Sequence, residues 1–487
     1  MSTAAPRGSV TGMRRSTETT GARDVGLDRA VIVQSLICIV PAMAAVGIGA
    51  PQAGAYYFFA AYLGFLGWSL LCGYSVRALA LTVGVLPGLS LFRDLFLYNS
   101  VILVYSVVVF GLLLRSRHHM REMWRAGFAG VLYICVLYWG VSYVITGDYS
   151  ANLRLLELTL SAAALVLLIS HPIQLASALF SLTLGLVAWG LAFLPYGHRL
   201  GLATIGGVQL GNPITFGLPL AFMFTLLVAD QGKLLLLQRN AWIRLLLTLV
   251  VGAFLLLSTS RGSWLVAASS VAMVLLFKRY DRRIAIVGIV LMLGVGLLLL
   301  QTSRGADFAA GLQRTFSEER SLRNRTSGRS DQWMLLPVAL HDHPVLGFGP
   351  GRGPSVYAKY SLLDPDVHFR RGVEMRWHSL YLQVAIETGA LGVLVLTTLF
   401  FLLFRSNIRA WRYTGDVAPM LGAIGFALLA LTVSGMDAAS GLFLGLGLSA
   451  VGRAESAQQA PEPLPVPSRP TIRDWSAGQA PHWESDT

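Results

Sequence analysis

The sequence is poor in charged residues. Asp, Glu, Lys and Arg make up 13% of its 487 residues, while 54% are hydrophobic and the mean hydropathy is +0.61. Soluble domains contain about 25% charged residues. With so few charges, much of the surface is expected to face lipid, which argues against a large soluble protein.

Cysteines are also few, and nucleotide-binding signatures are missing. The three cysteines, Cys38, Cys72 and Cys135, lie inside apolar runs. Neither a disulfide framework nor a cysteine-based metal site is therefore expected. The sequence contains no Walker or Rossmann motif, which excludes the common ATP- and dinucleotide-dependent classes.

Long apolar runs follow one another along the chain without the alternation that marks strands. Runs of about 15–25 residues suit helices that cross a hydrocarbon core of about 30 Å, whereas barrel strands are shorter and alternate. We predict an all-α integral membrane protein, a polytopic bundle of about 12–14 transmembrane helices. The candidate spans lie near residues 30–50, 55–72, 78–92, 98–114, 127–146, 153–170, 173–194, 212–229, 241–258, 262–277, 284–301, 379–404, 417–436 and 439–452.

Basic residues are concentrated in three short segments, 115–125, 278–283 and 405–412. With the N-terminus in the cytoplasm, alternation of the spans places all three there, as the positive-inside rule requires. The net charge of +13 is thus explained by cytoplasmic segments, and no nucleic-acid partner is expected. We predict five regions: a polar cytoplasmic N-terminus (1–29), transmembrane helices (30–301), one large extracytoplasmic catalytic loop (302–378), C-terminal transmembrane helices (379–452) and a disordered cytoplasmic tail (453–487). The first apolar run is interpreted as a retained span rather than a cleaved signal.

Two groups of basic residues at the predicted outer face could bind an anion. The first is the turn Ser260-Arg261-Gly262 between two apolar runs. The hydrogen-bond donors of the Arg261 guanidinium match phosphate oxygens, although an arginine at this depth can also simply snorkel to the interface. The second is Arg329, preceded by Gly328 in the outer loop, where an arginine can also be merely solvated.

Two further groups could position or deprotonate a substrate. The segment His343–Gly351 contains Gly347 and Gly349, which allow close backbone approach to a ligand or an ordinary tight loop. His378 lies at the entry of a long apolar run, with Tyr381 and Glu387 further along. An ordinary histidine pKa of about 6.5 suits a general base, although a capping or buried histidine is the commoner case.

A metal site is not expected. His341 and His343 are close in sequence, but no cysteine or clear carboxylate completes a ligand set.

Together these four groups resemble the O-antigen ligase and polymerase superfamily, whose shared block is called the Wzy_C domain. The resemblance covers about residues 205–400 and includes the Ser-Arg-Gly turn, the loop arginine, His343-Pro-x-x-Gly-x-Gly and the string His378-Ser-x-Tyr-Leu-Gln-x-x-x-Glu-x-Gly-x-x-Gly392. The family often has Asn after the motif histidine, where this chain has Ser379. This departure bears on the choice of acceptor.

The resemblance implies a membrane glycosyltransferase with a fold related to the GT-C class. Such enzymes move a glycan from an undecaprenyl-diphosphate carrier to an acceptor hydroxyl on the outer face of the inner (cytoplasmic) membrane. It implies that Arg261 and Arg329 bind the diphosphate and that His378 is the base, with Ser260, Gly347, Gly349, Tyr381 and Glu387 in support. No cofactor is expected, and the implied mechanism is metal-independent and inverting.

Three functions remain open at this point. A ligase passes a finished glycan to a lipid, glycan or protein acceptor, whereas a polymerase passes a growing chain to a carrier-linked repeat. The single large outer loop slightly favours a ligase. A transporter or flippase of lipid-linked oligosaccharides would also be a large bundle, but transporters gather polar residues near mid-membrane. Here the middle parts of the spans are nearly free of charge apart from Glu157.

Overall fold

The computed structural model describes residues 27–93, 95, 98–115, 149–196, 200, 202–205, 207–229, 233–237, 240–276, 286, 290, 294, 297, 301, 329–365, 367, 370–432 and 437–459. The predicted spans at 127–146 and 284–301 fall outside these residues, apart from single positions in the second. Most of the predicted N-terminal segment, residues 302–328 of the predicted catalytic loop and most of the predicted tail fall outside them as well.

Helices occupy the predicted spans throughout the described part of the chain. In chain order the elements are α1 (Arg29–Gly47), α2 (Pro51–Leu71), α3 (Ser75–Gly84), α4 (Leu86–Phe92), α5 (Tyr98–Arg115), α6 (Tyr149–Ile169), α7 (Pro172–Phe193), β1 (Ala203–Ile205), β2 (Val208–Leu210), α8 (Pro213–Val228), α9 (Ala241–Leu257), α10 (Arg261–Leu276), α11 (Arg329–Asp342), α12 (Gly353–Leu363), α13 (Leu380–Thr414), α14 (Ala418–Thr432) and α15 (Ala438–Gln459). The protein is therefore an all-α polytopic membrane protein, with one small antiparallel hairpin, β1–β2, among its described elements.

Four described helices, α1, α2, α7 and α13, are long and apolar enough to cross a membrane. The pair α3–α4 passes the same test if its 53° bend lies within one span, which raises the number to five. Seven further apolar helical stretches in the described part of the chain are shorter, at 10–17 residues. The larger number of spans stays a prediction from the sequence.

The helices of the bundle approach one another closely where small residues face a neighbour. A Cβ at Gly441 of α15 would lie 2.4 Å from the carbonyl oxygen of Leu158, and one at Gly445 would lie 2.6 Å from that of Ala162. Both partners belong to α6, so α15 packs almost backbone to backbone on that helix. Close approach through glycine is a common way to gain van der Waals contact in a membrane.

A second, smaller core lies in residues 329–388, which we call the 329–388 module. It joins α11, α12 and the start of α13. Its buried apolar side chains are Leu335, Ala339, Val356, Tyr357, Tyr360, Val367, Met375, Trp377, Leu382 and Ile386. The region predicted as a catalytic loop thus contains two helices and a packed core, and its core continues beyond residue 378.

Helix α13 departs from the predicted span 379–404 in two ways. It is broken at Gly389, where φ is 61° and ψ is −155°. It also continues to Thr414, so the basic segment 405–412, predicted as a loop, is helical. The 25 residues after the break would extend about 37 Å at about 1.5 Å per residue, which is ample to cross the hydrocarbon core.

Helix α15 also runs past its predicted end. It continues from the predicted end of the last span at 452 to Gln459, so the first part of the predicted disordered tail is helical.

Candidate functional site

The Ser260-Arg261-Gly262 turn joins α9 to α10 and is stabilised by hydrogen bonds of nearby serine hydroxyls. The Ser260 and Ser263 hydroxyls are hydrogen-bonded at 2.8 Å, and the Ser258 hydroxyl accepts from the Ser260 backbone N–H. A Cβ at Gly217 of α8 would lie 2.8 Å from Ser260 Cβ, so α8 packs directly against the turn. Ser260 is buried in this contact, whereas Arg261 is exposed at the N-terminus of α10.

The end of α14 brings this turn together with the start of α13. A Cβ at Gly262 would lie 2.5 Å from the Thr432 hydroxyl oxygen, so α10 begins against the last residue of α14. The Ser379 hydroxyl donates a 3.1 Å hydrogen bond to the carbonyl oxygen of Ala430. Gly262 and Ser379 thus contact the same end of α14. Arg261 and His378 each lie next to one of these residues in the sequence.

Arg329 belongs to the same group of charges. Burial lowers the pKa of Arg329, and the positive charge of Arg261 lowers it further. Burial also lowers the pKa of His378, and the charges of Arg329 and Arg370 add to that effect. Arg329 and Arg370 thus act on one half-buried histidine, while Arg261 acts on Arg329. Like charges gathered in this way favour an anion between them.

Arg370 was not predicted from the sequence. It is exposed, and its backbone φ of 46° lies in the left-handed region that side-chain-bearing residues rarely adopt. No motif marks it, because its approach to His378 depends on how residues 370–379 fold. An unusual backbone conformation at a charged residue near a candidate site is itself a pointer to function.

This arrangement can bind an anion and accept a proton. The positive ends of α10 and α13 lie at the same place as the arginines, and helix N-termini favour negative charge. The lowered pKa keeps the His378 imidazole neutral near pH 7, the form that a general base needs. Within the described residues, the imidazole has no hydrogen-bond partner of its own.

Gly347, Gly349 and Glu387 lie at the break in α13 rather than beside His378. The backbone N–H groups of Phe348 and Gly349 donate to the carbonyls of Ile386 and Glu387, at 2.9 Å each. On the other side of the break, the N–H groups of Ala390 and Leu391 donate to Pro344 and Val345.

These bonds satisfy backbone groups that the broken helix leaves open. A Cβ at Gly347 would lie 2.6 Å from the backbone of Glu387, so the close approach that its glycine permits is to α13. The break at Gly389 lies about 15 Å along the helix from Ser379.

Glu387 and Tyr381 both anchor the first part of α13. The buried Glu387 carboxylate accepts from the Gly353 backbone N–H at 3.3 Å and from the Gln383 side-chain amide. The Tyr381 hydroxyl donates to the carbonyl oxygen of Ala427 in α14 at 3.2 Å. Both residues therefore hold in place the first part of α13, which begins two residues after His378.

His341 and His343 make different contacts. His341 is exposed and lies 3.7 Å from Asp342, while the His343 ring packs edge-on against Phe348 at 4.5 Å. Among the described residues there is no group of three or more His, Cys, Asp or Glu side chains that could hold a metal ion.

Glu157 has charged neighbours that the sequence pattern did not indicate. It is buried in α6, where Arg93, Asp437 and Arg154 are its electrostatic partners. With Arg93 and Tyr105 it lines a small cavity. The cluster joins the ends of several helices and is separate in sequence from the residues around His378.

Comparison with known proteins supports the family resemblance. Residues 245–397 match the Wzy_C family model, described as O-antigen ligase. The match begins in α9 and includes Arg261, Arg329 and His378. No curated protein matched the chain. The predicted resemblance to the O-antigen ligase superfamily is thereby confirmed, and an enzyme of the ligase or polymerase type is the function class it supports.

Proposed function

We propose that this protein is a glycosyltransferase of the inner (cytoplasmic) membrane that acts as an O-antigen ligase. It moves a glycan from an undecaprenyl-diphosphate carrier to an acceptor hydroxyl on the extracytoplasmic face. The observation that carries the proposal is the meeting of Arg261, Arg329 and His378 at the end of α14, inside the region that matches the O-antigen ligase family.

Arg261 and Arg329 bind the donor diphosphate in this proposal. As the bond between the anomeric carbon and the phosphate oxygen breaks, negative charge grows on the leaving diphosphate. Two guanidinium groups that are already in place stabilise this charge without rearrangement. Burial at Arg329 strengthens the effect, because charges interact more strongly where water is partly excluded.

His378 prepares the acceptor. A sugar hydroxyl is a weak nucleophile, so its proton passes to the neutral imidazole as its oxygen bonds to the anomeric carbon. A well-placed general base contributes roughly 10²–10⁴-fold to such a step. The nearby arginines keep the imidazole neutral before the step, and the departing negative diphosphate favours the imidazolium that the step produces.

Several finer features belong to the same proposal. A single displacement inverts the anomeric centre, and the two arginines supply the charge stabilisation that metal ions give in other glycosyltransferases. The positive-inside pattern of the sequence places residues 302–378 outside the cytoplasm. The bundle with one large outer loop fits a fold related to the GT-C class.

Complementation with matched histidine variants tests the proposal. In a strain that lacks its own copy, His378→Ala should abolish linked or polymerised surface glycan, read on a gel, because no base remains for the acceptor. His341→Ala removes a histidine that is exposed in the same module, and it should retain full activity. Both variants must reach the membrane in equal amount, which a blot of the membrane fraction checks.

The outcome also separates the related functions. Transfer of finished chains to a terminal acceptor gives a full-length band on that acceptor, as a ligase requires. A growing ladder on the carrier lipid indicates a polymerase that uses the same donor. Full activity of His378→Ala would contradict the mechanism and favour transport of the lipid-linked glycan.

A further inference from the structure

The backbone that carries His378 is held by a side chain that no motif indicated. Gln332 lies on α11, three residues after Arg329, and its side chain is fully buried. Its Oε1 accepts a 2.7 Å hydrogen bond from the His378 backbone N–H, and its Nε2 donates to the Arg376 carbonyl oxygen at 3.1 Å. One amide thus pairs with the backbone on both sides of Trp377, as a neighbouring strand would.

This pairing matters because residues 374–379 belong to neither a helix nor a strand. Their backbone groups have no regular ladder to fix them, so side chains must do so. Trp377 is held separately: its N–H donates to Gln383 at 3.3 Å and its indole N–H to the Gly353 carbonyl at 2.9 Å. Gln332 is the partner that the structure gives to the His378 N–H itself.

Gln332 also shares a helix with a proposed donor-binding residue. Positions three apart on a helix project to the same side, so Arg329 and Gln332 face the site from one rigid element. Any shift of α11 moves the donor-binding guanidinium and the His378 backbone together. The position of the leaving group is therefore linked to that of the base through α11.

We propose that Gln332 is a positioning residue that sets the His378 imidazole against the donor held by Arg329; this inference rests on the proposed function. Gln332 does not touch the substrate. It acts through the His378 peptide, and a misplacement of about 1 Å at a reacting group can cost about 10²-fold in rate. A fully buried amide with no such role would affect folding and donor binding together.

The test compares turnover with donor-site binding in protein reconstituted in nanodiscs. Gln332→Met keeps the side-chain size and removes both hydrogen bonds. We expect kcat for transfer from lipid-linked glycan extracted from the source strain to fall about 10–10²-fold. Binding of undecaprenyl diphosphate, used as the probe of the arginine site, should stay within about twofold, since Gln332 acts only through the base. Gln52→Met, an exposed position on α2, should change neither quantity.

A second variant keeps the test decisive if Gln332→Met folds poorly. A mutant cycle checks separately that Gln332 acts through His378. Gln332→Glu retains an oxygen for the His378 N–H and should recover much of the lost kcat. His378→Ala should leave no surface glycan on a gel, but the slow residual turnover of the purified protein should fall no further when Gln332→Met is added, because residues that act as a unit are not additive.

Equal losses of kcat and undecaprenyl diphosphate binding in Gln332→Met would overturn the inference, as would an additive effect in the cycle. Those results would leave the proposed function intact as long as His378→Ala itself is inactive. An active His378→Ala would instead contradict the proposed function, and the two failures are therefore distinguishable.

Discussion

The helix bundle and the 329–388 module are held together by different kinds of interaction. In the bundle, many buried hydroxyls bond to their own helix: Thr82, Thr183 and Thr225 each donate at 2.8 Å to the carbonyl four residues earlier, although the Thr82 and Thr225 hydroxyls also pair with Tyr62 and Ser270 of other helices. In the module, polar side chains join distant parts of the chain. The hydrogen bonds of Gly353 with Glu387, of Trp377 with Gly353 and of His378 with Gln332 connect residues 34, 24 and 46 positions apart.

This difference assigns different tasks to the two regions. The bundle satisfies many of its polar groups within single helices and packs mainly through apolar area, so many sequences of similar hydropathy would form it. The module depends on particular donors and acceptors, and each one that is lost leaves a buried partner unsatisfied. Precise placement is needed where chemistry occurs, and the module is the region that carries Arg329, Arg370 and His378.

The largest difference in stability should come from a glycine-to-alanine substitution made once at the edge of the module and once in the bundle. Gly389→Ala should destabilise the module severely. Its backbone conformation is one that is essentially restricted to glycine, at a cost of about 1–3 kcal/mol for other residues. The new Cβ would also lie 2.5 Å from the backbone of Val345. We expect loss of glycan transfer and a lowered Tm in detergent.

Gly111→Ala is the matched control in the bundle. Gly111 lies within α5, and a Cβ there meets no atom within 4 Å. Alanine should be neutral or stabilise the helix by about 0.5–1 kcal/mol. Equal Tm values for the two variants would contradict the view that the His343–Gly351 segment is fitted to the break in α13.

A smaller contrast is expected from buried polar groups. Glu387→Leu leaves two donors, the Gly353 N–H and the Gln383 amide, without their acceptor, and each should cost about 1–3 kcal/mol. Thr183→Val in the bundle removes one local hydrogen bond and should cost about 0.5–1.5 kcal/mol. Unfolding midpoints of the purified variants measure both, and a larger loss in Thr183→Val would remove the proposed distinction between the regions.

The same distinction explains what the sequence could predict. Hydropathy placed the bundle helices to within a few residues: the span predicted at 173–194 is α7, Pro172–Phe193. Lipid requires long apolar helices and little else, so apolar run length carries that information. The positions of Arg261, Arg329 and His378 came from motifs, and the structure brings them together.

The contacts inside the module could not be read from the sequence in the same way. The break at Gly389 was missed, because its backbone groups are satisfied by residues 344–349, which are about forty positions away along the chain. Arg370 and Gln332 were missed because their roles depend on how the loop folds over α11. The glycines Gly347 and Gly349 were recognised as special, but the backbone they approach is that of α13.

The smallest expected effect concerns the electrostatics of the site. Arg370→Gln removes a positive charge that lowers the pKa of His378. With less repulsion the imidazolium is favoured, so the His378 pKa should rise. A general base is active when neutral, and activity is lost as the pH falls through its pKa. The acid limb of the kcat profile in reconstituted protein should therefore move to higher pH, with activity above neutral pH nearly unchanged.

Arg371→Gln provides the control at the adjacent position. Its guanidinium donates to the carbonyl oxygens of Ser361 and Leu362 rather than acting on His378. This variant should leave the acid limb in place, whatever small loss of stability it causes. If Arg370→Gln leaves the limb in place too, Arg370 does not act on the base. If both variants move the limb equally, the shift reflects the net charge of the module rather than one side chain. A shift in Arg370→Gln alone would show that the module positions single charges, a specificity that a bundle packed mainly through apolar area does not require.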